Sequence, residues 1–168
     1  MADAGKLMPF ILEWEGGFVN DPLDRGGATN KGVTIGTFLS FYPGKTVDDL
    51  KRITDDQWLT IFRDGYWNPW QADQIKDQAV ANIVVDWAWA SGVRKSIRKV
   101  QELLGVTVDG MVGNQTLSAI NGKDAEELFD RIKVARYDFV DTIVNLDPTQ
   151  KRFVKGWKNR IKSIKYEK

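Results

Sequence analysis

The chain contains no histidine and no cysteine. Without cysteine there is no disulfide framework, no zinc–thiolate site and no thiol nucleophile. Without histidine, serine–histidine hydrolysis is excluded, and the commonest metal ligand is missing. An enzyme built from this sequence must move protons with carboxylates, with lysine or tyrosine as weaker candidates. Charge of one sign is also scarce. The 24 Lys and Arg against 23 Asp and Glu leave a net charge of +1, so no strong field draws the chain to nucleic acid or an anionic membrane. No apolar run approaches the roughly 18 residues that would span a bilayer. The stretch from Met1 to Phe10 has no basic region followed by a long apolar run, so no signal peptide is expected. Tandem repeats, low-complexity tracts and long linkers are missing too.

What is present suits a folded protein. The chain has 168 residues, 42% of them hydrophobic, enough to build one domain or two small lobes around a sizeable core. Apolar spacing places a first helix over residues 6–15, with Leu7, Phe10, Ile11 and Trp14 inward and Pro9 in the first turn. A short helical piece is expected over 37–42, and Thr46 caps another. Thr54-Asp55-Asp56-Gln57 is a capping box opening a helix with Trp58, Ile61 and Phe62 inward, ended by Gly65. Residues 79–91 carry so many apolar side chains that a central, fully buried helix is expected. Asp86 is the anomaly there. A charge in such a run calls for a partner, so it is read first as a structural carboxylate paired with arginine or a backbone donor, and second as a cleft carboxylate contacting substrate.

Further helices are expected over 96–105, 117–120, 125–145 and 151–165. The last would turn Phe153, Trp157, Ile161 and Ile164 inward. Its other face carries Lys151, Arg152, Lys155, Lys158, Arg160, Lys162 and Lys165, a pattern that is ordinarily a solvated face. Asp109-Gly110 lacks the alternating oxygen ligands of a calcium loop, so no metal is expected. Tyr66, Trp67 and Trp70 form an aromatic knot read as a core plug, with Tyr66 and Trp67 as alternative sugar-stacking rings.

The stretch that points to chemistry starts at Glu15. This carboxylate shares a helical face with Ile11 and Leu12. Loss of solvation there is expected to raise its pKa and favour the protonated acid. Gly16-Gly17 stops the helix, and the turn formers Asn20, Asp21, Pro22, Asp24, Gly26 and Gly27 follow as an irregular loop or short hairpin. A loop returning past the helix end can bring Asp21, Asp24, Thr29 or Thr34 towards Glu15. Glycosidic bond cleavage needs that layout: an acid for the leaving oxygen, and a second polar group for water or the developing cation.

The run Glu15-Gly-Gly-Phe-Val-Asn-Asp-Pro22, with Gly26-Gly-Ala-Thr29-Asn-Lys-Gly32-Val-Thr34, resembles the signature of glycoside hydrolase family 108. The resemblance implies a lysozyme-like α+β fold, predominantly helical with a small hairpin or loop lobe. It implies N-acetylmuramidase action on the β-1,4 bond between N-acetylmuramic acid and N-acetylglucosamine of peptidoglycan, with Glu15 as the acid. The order also resembles the Glu, Asp, Thr triad of phage-type lysozymes, which selects Asp24 and Thr34; family 108 spacing equally selects Thr29. Asn20 and Asp21 are further substrate-contact candidates. Gln101-x-x-Leu-Gly-Val-x-x-Asp-Gly-x-x-Gly-x-x-Thr116 resembles the predicted peptidoglycan-binding region that accompanies this family.

Residues 1–92 are therefore expected to be catalytic and 93–168 wall-binding in type, packed into one compact unit. No cofactor is called for. The partner is the peptidoglycan glycan strand, not nucleic acid or an integral membrane site, and a monomer is expected. A wall enzyme of this kind, made without a signal peptide, would reach its substrate through a phage-type lesion or a dedicated export system. A lytic transglycosylase and a non-enzymatic wall-binding or secretion-accessory protein remain the competing readings.

Overall fold

The computed structural model describes residues 1–21 and 26–167. The chain is predominantly helical, with one two-stranded sheet among the described residues, as the α+β expectation required. It packs as two units, Ala4–Gly65 and Met1–Asp3 with Tyr66–Lys168.

In the first unit, α1 (Ala4–Trp14) begins two residues before the expected start. Pro9 is therefore its sixth residue, beyond the first turn, on an exposed side where a missing N–H costs least. Leu7 and Ile11 are buried as expected, but Trp14 is 37% exposed and does not belong to the core face. A tight hairpin comes next: β1 (Thr29–Asn30) pairs antiparallel with β2 (Val33–Thr34). Lys31 and Gly32 turn the chain with φ of 51° and 80°. Positive φ at both central residues is the turn whose twist matches paired strands. Helix α2 (Ile35–Phe41) is capped by Thr34, whose Oγ1 accepts from the Thr37 N–H at 3.2 Å. Both α3 (Val47–Lys51) and α4 (Asp55–Phe62) begin with complete capping boxes, from Thr46 with Asp49 and from Thr54 with Gln57. Phe38, Leu50, Trp58, Ile61 and Phe62 join Leu7 and Ile11 in the core of this unit.

Gly65 does not stop the helix. The chain runs on through a wide π turn, Arg63–Trp67, because a buried aromatic end, Trp67, anchors it more strongly than one glycine loosens it.

The second unit is built on α5 (Gln78–Ser91), capped by Asp77 and ended at Gly92 with φ 107°. Val80, Ile83, Val84, Val85, Trp87 and Ala88 are all buried, as their density predicts. Helices α6 (Val93–Leu104) and α8 (Ala125–Leu146) cover α5, and α7 (Asn114–Asn121) packs on both of these. Residues Pro148–Phe153 form a 3-10 turn before α9 (Val154–Ser163), which lies on α8. The last helix is thus shorter than expected, and Phe153 is 41% exposed while Ile161 and Ile164 are buried.

Candidate active site

Glu15 comes directly after the last helical residue of α1, with its N–H donating to the Ile11 carbonyl at 3.0 Å. It is half-buried. The chain then leaves the helix axis, and two backbone links tie residues 16–19 to the hairpin. Lys31 donates its N–H to the Gly16 carbonyl at 3.1 Å. Val19 and Thr29 exchange both backbone bonds at 2.8 Å, forming an isolated bridge beside the sheet. The end of α1 therefore sits beside the hairpin through main-chain hydrogen bonds.

Register decides what the hairpin presents. Thr29 lies opposite Thr34, and Asn30 opposite Val33. Alternation puts Asn30 and Val33 on the buried face and both threonines on the other, half-buried face. Directly opposed residues bring their Cβ atoms to about 4.5–5.5 Å. The two threonines between which the sequence left a choice are thus neighbours on one surface. Their hydroxyls differ. Thr34 is engaged as the α2 cap, accepting from the Thr37 N–H and donating to Thr37 Oγ1 at 3.1 Å. Among the described residues, Thr29 Oγ1 has no hydrogen-bond partner.

The hairpin is locked from behind by residues whose spacing gave no sign of that role. Asn30 is 5% exposed and its Nδ2 donates to the carbonyls of Leu50 and Lys51 at 3.0 and 3.1 Å, satisfying the C-terminal end of α3. Trp58 Nε1 donates to the Lys31 carbonyl at 3.0 Å. Lys51 lies over the Phe18 ring at 5.6 Å. Asn30 and Lys31 stood within the Glu15 motif, but a burial partner distant in sequence leaves no local pattern.

Other candidates fall differently. Asn20 and Asp21 are exposed on the segment leading from the bridge. Asp24 lies outside the described residues. Tyr66 is half-buried against the Trp89 ring, centroids 4.7 Å apart. Trp67 is fully buried, with Nε1 donating to Asp73 Oδ1 at 2.8 Å, so it offers a sugar no face. Asp86 is fully buried too, and its carboxylate is bracketed by Arg136 at 3.0 Å and Arg160 at 2.7 Å. Trp67 and Asp86 thus match the first of the two readings each was given, core plug and paired structural carboxylate, because ring burial and charge pairing consume the groups a substrate would meet. Arg160 is correspondingly drawn off the solvated basic face of the last helix to which its spacing assigned it.

A carboxylate at the end of α1 stands beside a hydroxyl-bearing turn, in a chain without histidine or thiol, so carboxylates are the main groups able to move a proton there. The model for "Glycosyl hydrolase 108" matches residues 8–92, and that for "Predicted Peptidoglycan domain" matches residues 95–162. The chain belongs to glycosyl hydrolase family 108 and is a peptidoglycan-acting glycoside hydrolase. Among solved structures it is similar to SagA of Brucella abortus, at 30% sequence identity and a TM-score of 0.79, over 96% of this chain and 90% of that one. This supports the lysozyme-like, helix-rich fold. No curated protein matches the chain. No helix among the described residues is long and apolar enough to cross a membrane.

The family boundary and the packing boundary differ. By family, α5 belongs with the hydrolase match; by packing, it is the centre of the unit that holds α6 and α8.

Proposed function

We propose that the protein is an N-acetylmuramidase of lysozyme type, cleaving the β-1,4 bond between N-acetylmuramic acid and N-acetylglucosamine, with Glu15 as general acid. The observation that carries this reading is the bond from the Lys31 N–H to the Gly16 carbonyl, which sets the residue after Glu15 against the hairpin tip. Glu15 protonates the leaving glycosidic oxygen. The hydroxyl of Thr29 holds the attacking water or the sugar beside it, since Thr34 is committed to its helix cap. Asp24 serves as the second carboxylate, and Asn20 and Asp21 contact the glycan. Membership of a glycosyl hydrolase family with an adjoining peptidoglycan region supports the substrate class.

The test is digestion of purified cell wall, read by turbidity and by mass spectrometry of the released fragments. Glu15→Gln keeps the shape but not the transferable proton, and activity is expected to fall by roughly a hundred- to ten-thousandfold. Reducing N-acetylmuramic ends are expected from the wild-type protein. Anhydro ends would instead identify a transglycosylase, and undiminished clearing by Glu15→Gln would remove Glu15 from the chemistry.

A further inference from the structure

The net charge of +1 hides a segregation. From Asp147 to Glu167 the chain carries seven Lys and Arg against two acids, which leaves acids in excess over the rest of the sequence. Five of the seven are Lys151, Lys155, Lys158, Lys162 and Lys165, at intervals alternating four and three. That spacing keeps Lys155, Lys158 and Lys162 on one face of α9, neighbouring Cβ atoms about 5–6 Å apart. Lys151 and Lys165 continue the spacing before and after the helix. Arg160 is out of this register and turns to Asp86. Lys158 meets Asp141 at 2.8 Å. Lys151, Lys155, Lys162 and Lys165 are exposed and have no ion pair among the described residues.

The signature motif of the same unit is closed to a ligand. Gln101 is 1% exposed and Thr116 3%. Gln101 Nε2 donates to Asp109 Oδ1 and to the Met111 carbonyl, both at 2.9 Å. Its Oε1 accepts from the N–H groups of Asp109 and Gly110 at 3.1 and 3.0 Å. The motif therefore shapes a turn from inside. The predicted peptidoglycan domain, residues 95–162, also takes in Lys151, Lys155, Lys158 and Lys162. The N-acetyl sugars of peptidoglycan are neutral, and its charge lies in the carboxylates of the stem peptides. Exposed ammonium groups match those carboxylates, not the sugar rings. A lipid surface fits less well, because Ile161 and Ile164 are buried in the interior and do not offer lipid an apolar side.

We propose that Lys151, Lys155, Lys158, Lys162 and Lys165 form a docking strip for the stem-peptide carboxylates of peptidoglycan. The strip holds the wall by charge, while the buried Gln101 motif only supports the fold. This rests on the peptidoglycan-acting class of the chain and does not depend on the role of Glu15.

The test is pelleting of the full chain with purified sacculi freed of phosphate polymers, read on ice and apart from the clearing that tests Glu15. Sacculi whose carboxyl groups have been capped as methylamides are the matched control. The wild-type chain is expected to pellet with untreated sacculi roughly tenfold more tightly than with capped ones, and about 0.5 M NaCl should release most of it. The triple variant Lys151→Glu, Lys155→Glu, Lys162→Glu should lose a similar factor with an unchanged urea midpoint, and arginine at the same three positions should restore binding. Equal pelleting with capped and untreated sacculi overturns the proposal whatever the variants do. So does full binding by the triple glutamate variant. Binding to phosphatidylglycerol vesicles or duplex DNA as tight as to untreated sacculi would show a general polyanion surface and also overturn it.

Discussion

Two threonines face each other across the hairpin, and their hydroxyls separate structure from chemistry. Thr34→Ala removes a helix cap and should cost about 1 kcal/mol in urea unfolding, with a modest effect on turnover. Thr29→Ala removes no bond among the described residues, so stability should be little changed while wall digestion drops roughly ten- to a hundredfold. Equal activity losses from both variants would place the two hydroxyls in the same role. A second residue-scale prediction concerns Asp109. Its carboxylate accepts from the Met111 N–H at 3.0 Å and from Gln101 Nε2 at 2.9 Å. These bonds hold its pKa below the ordinary 3.8, the Met111 bond contributing most. A depressed carboxylate pKa gives stability that is complete above the ordinary value and is lost as pH falls through the folded one. Wild-type stability in urea should therefore decline below about pH 4, and Asp109→Asn should flatten that decline. An unchanged slope would show that the turn does not depend on this charge.

Among elements, the Asp86 cluster ties three helices together: α5 carries the acid, α8 and α9 one arginine each. Asp86→Ala leaves the buried Arg136 without its carboxylate. Breaking a buried pair in this way should cost about 3–5 kcal/mol in chemical unfolding, and the loss should appear as instability before any change in substrate affinity. A variant of wild-type stability but weak glycan binding would restore Asp86 to the cleft. The same cluster shows how far an element can be read from its pattern. The apolar run 79–88 announced a buried helix, and one acid inside it called for a partner, an arginine or a backbone donor. Which cations answered was not legible, because Arg136 and Arg160 lie 50 and 74 positions further along the chain, on helices whose spacing alone reads as amphipathic. The hairpin behaves similarly. Turn formers marked an irregular loop or short hairpin, but the pairing of Thr29 with Thr34 depends on the left-handed backbone at Lys31, which lysine does not advertise.

At the level of the molecule, sequence families and packing divide the chain at different places. A fragment of residues 1–92 contains the whole hydrolase match yet strips α5 of α6 and α8. Exposing Val80, Ile83, Val84 and Trp87 together should leave that fragment aggregated or molten, with poor dispersion in NMR spectra, although it keeps Glu15 and the hairpin. A well-dispersed, monomeric fragment would show that the family unit is also a folding unit.

The exclusion of histidine and thiol chemistry was decided by composition, since residues that are missing exclude reactions wherever the chain folds. The helices, their caps and the burial of 79–88 were also local, because periodicity and capping depend on neighbours a few positions apart. Only the tertiary structure decided which threonine hydroxyl is open, that Trp14 faces out while Trp67 and Asp86 are sealed, and that Arg160 turns inward. Each of those outcomes depends on partners brought together from distant parts of the chain, where hydrogen-bond satisfaction and charge pairing override the preference any single residue expresses alone.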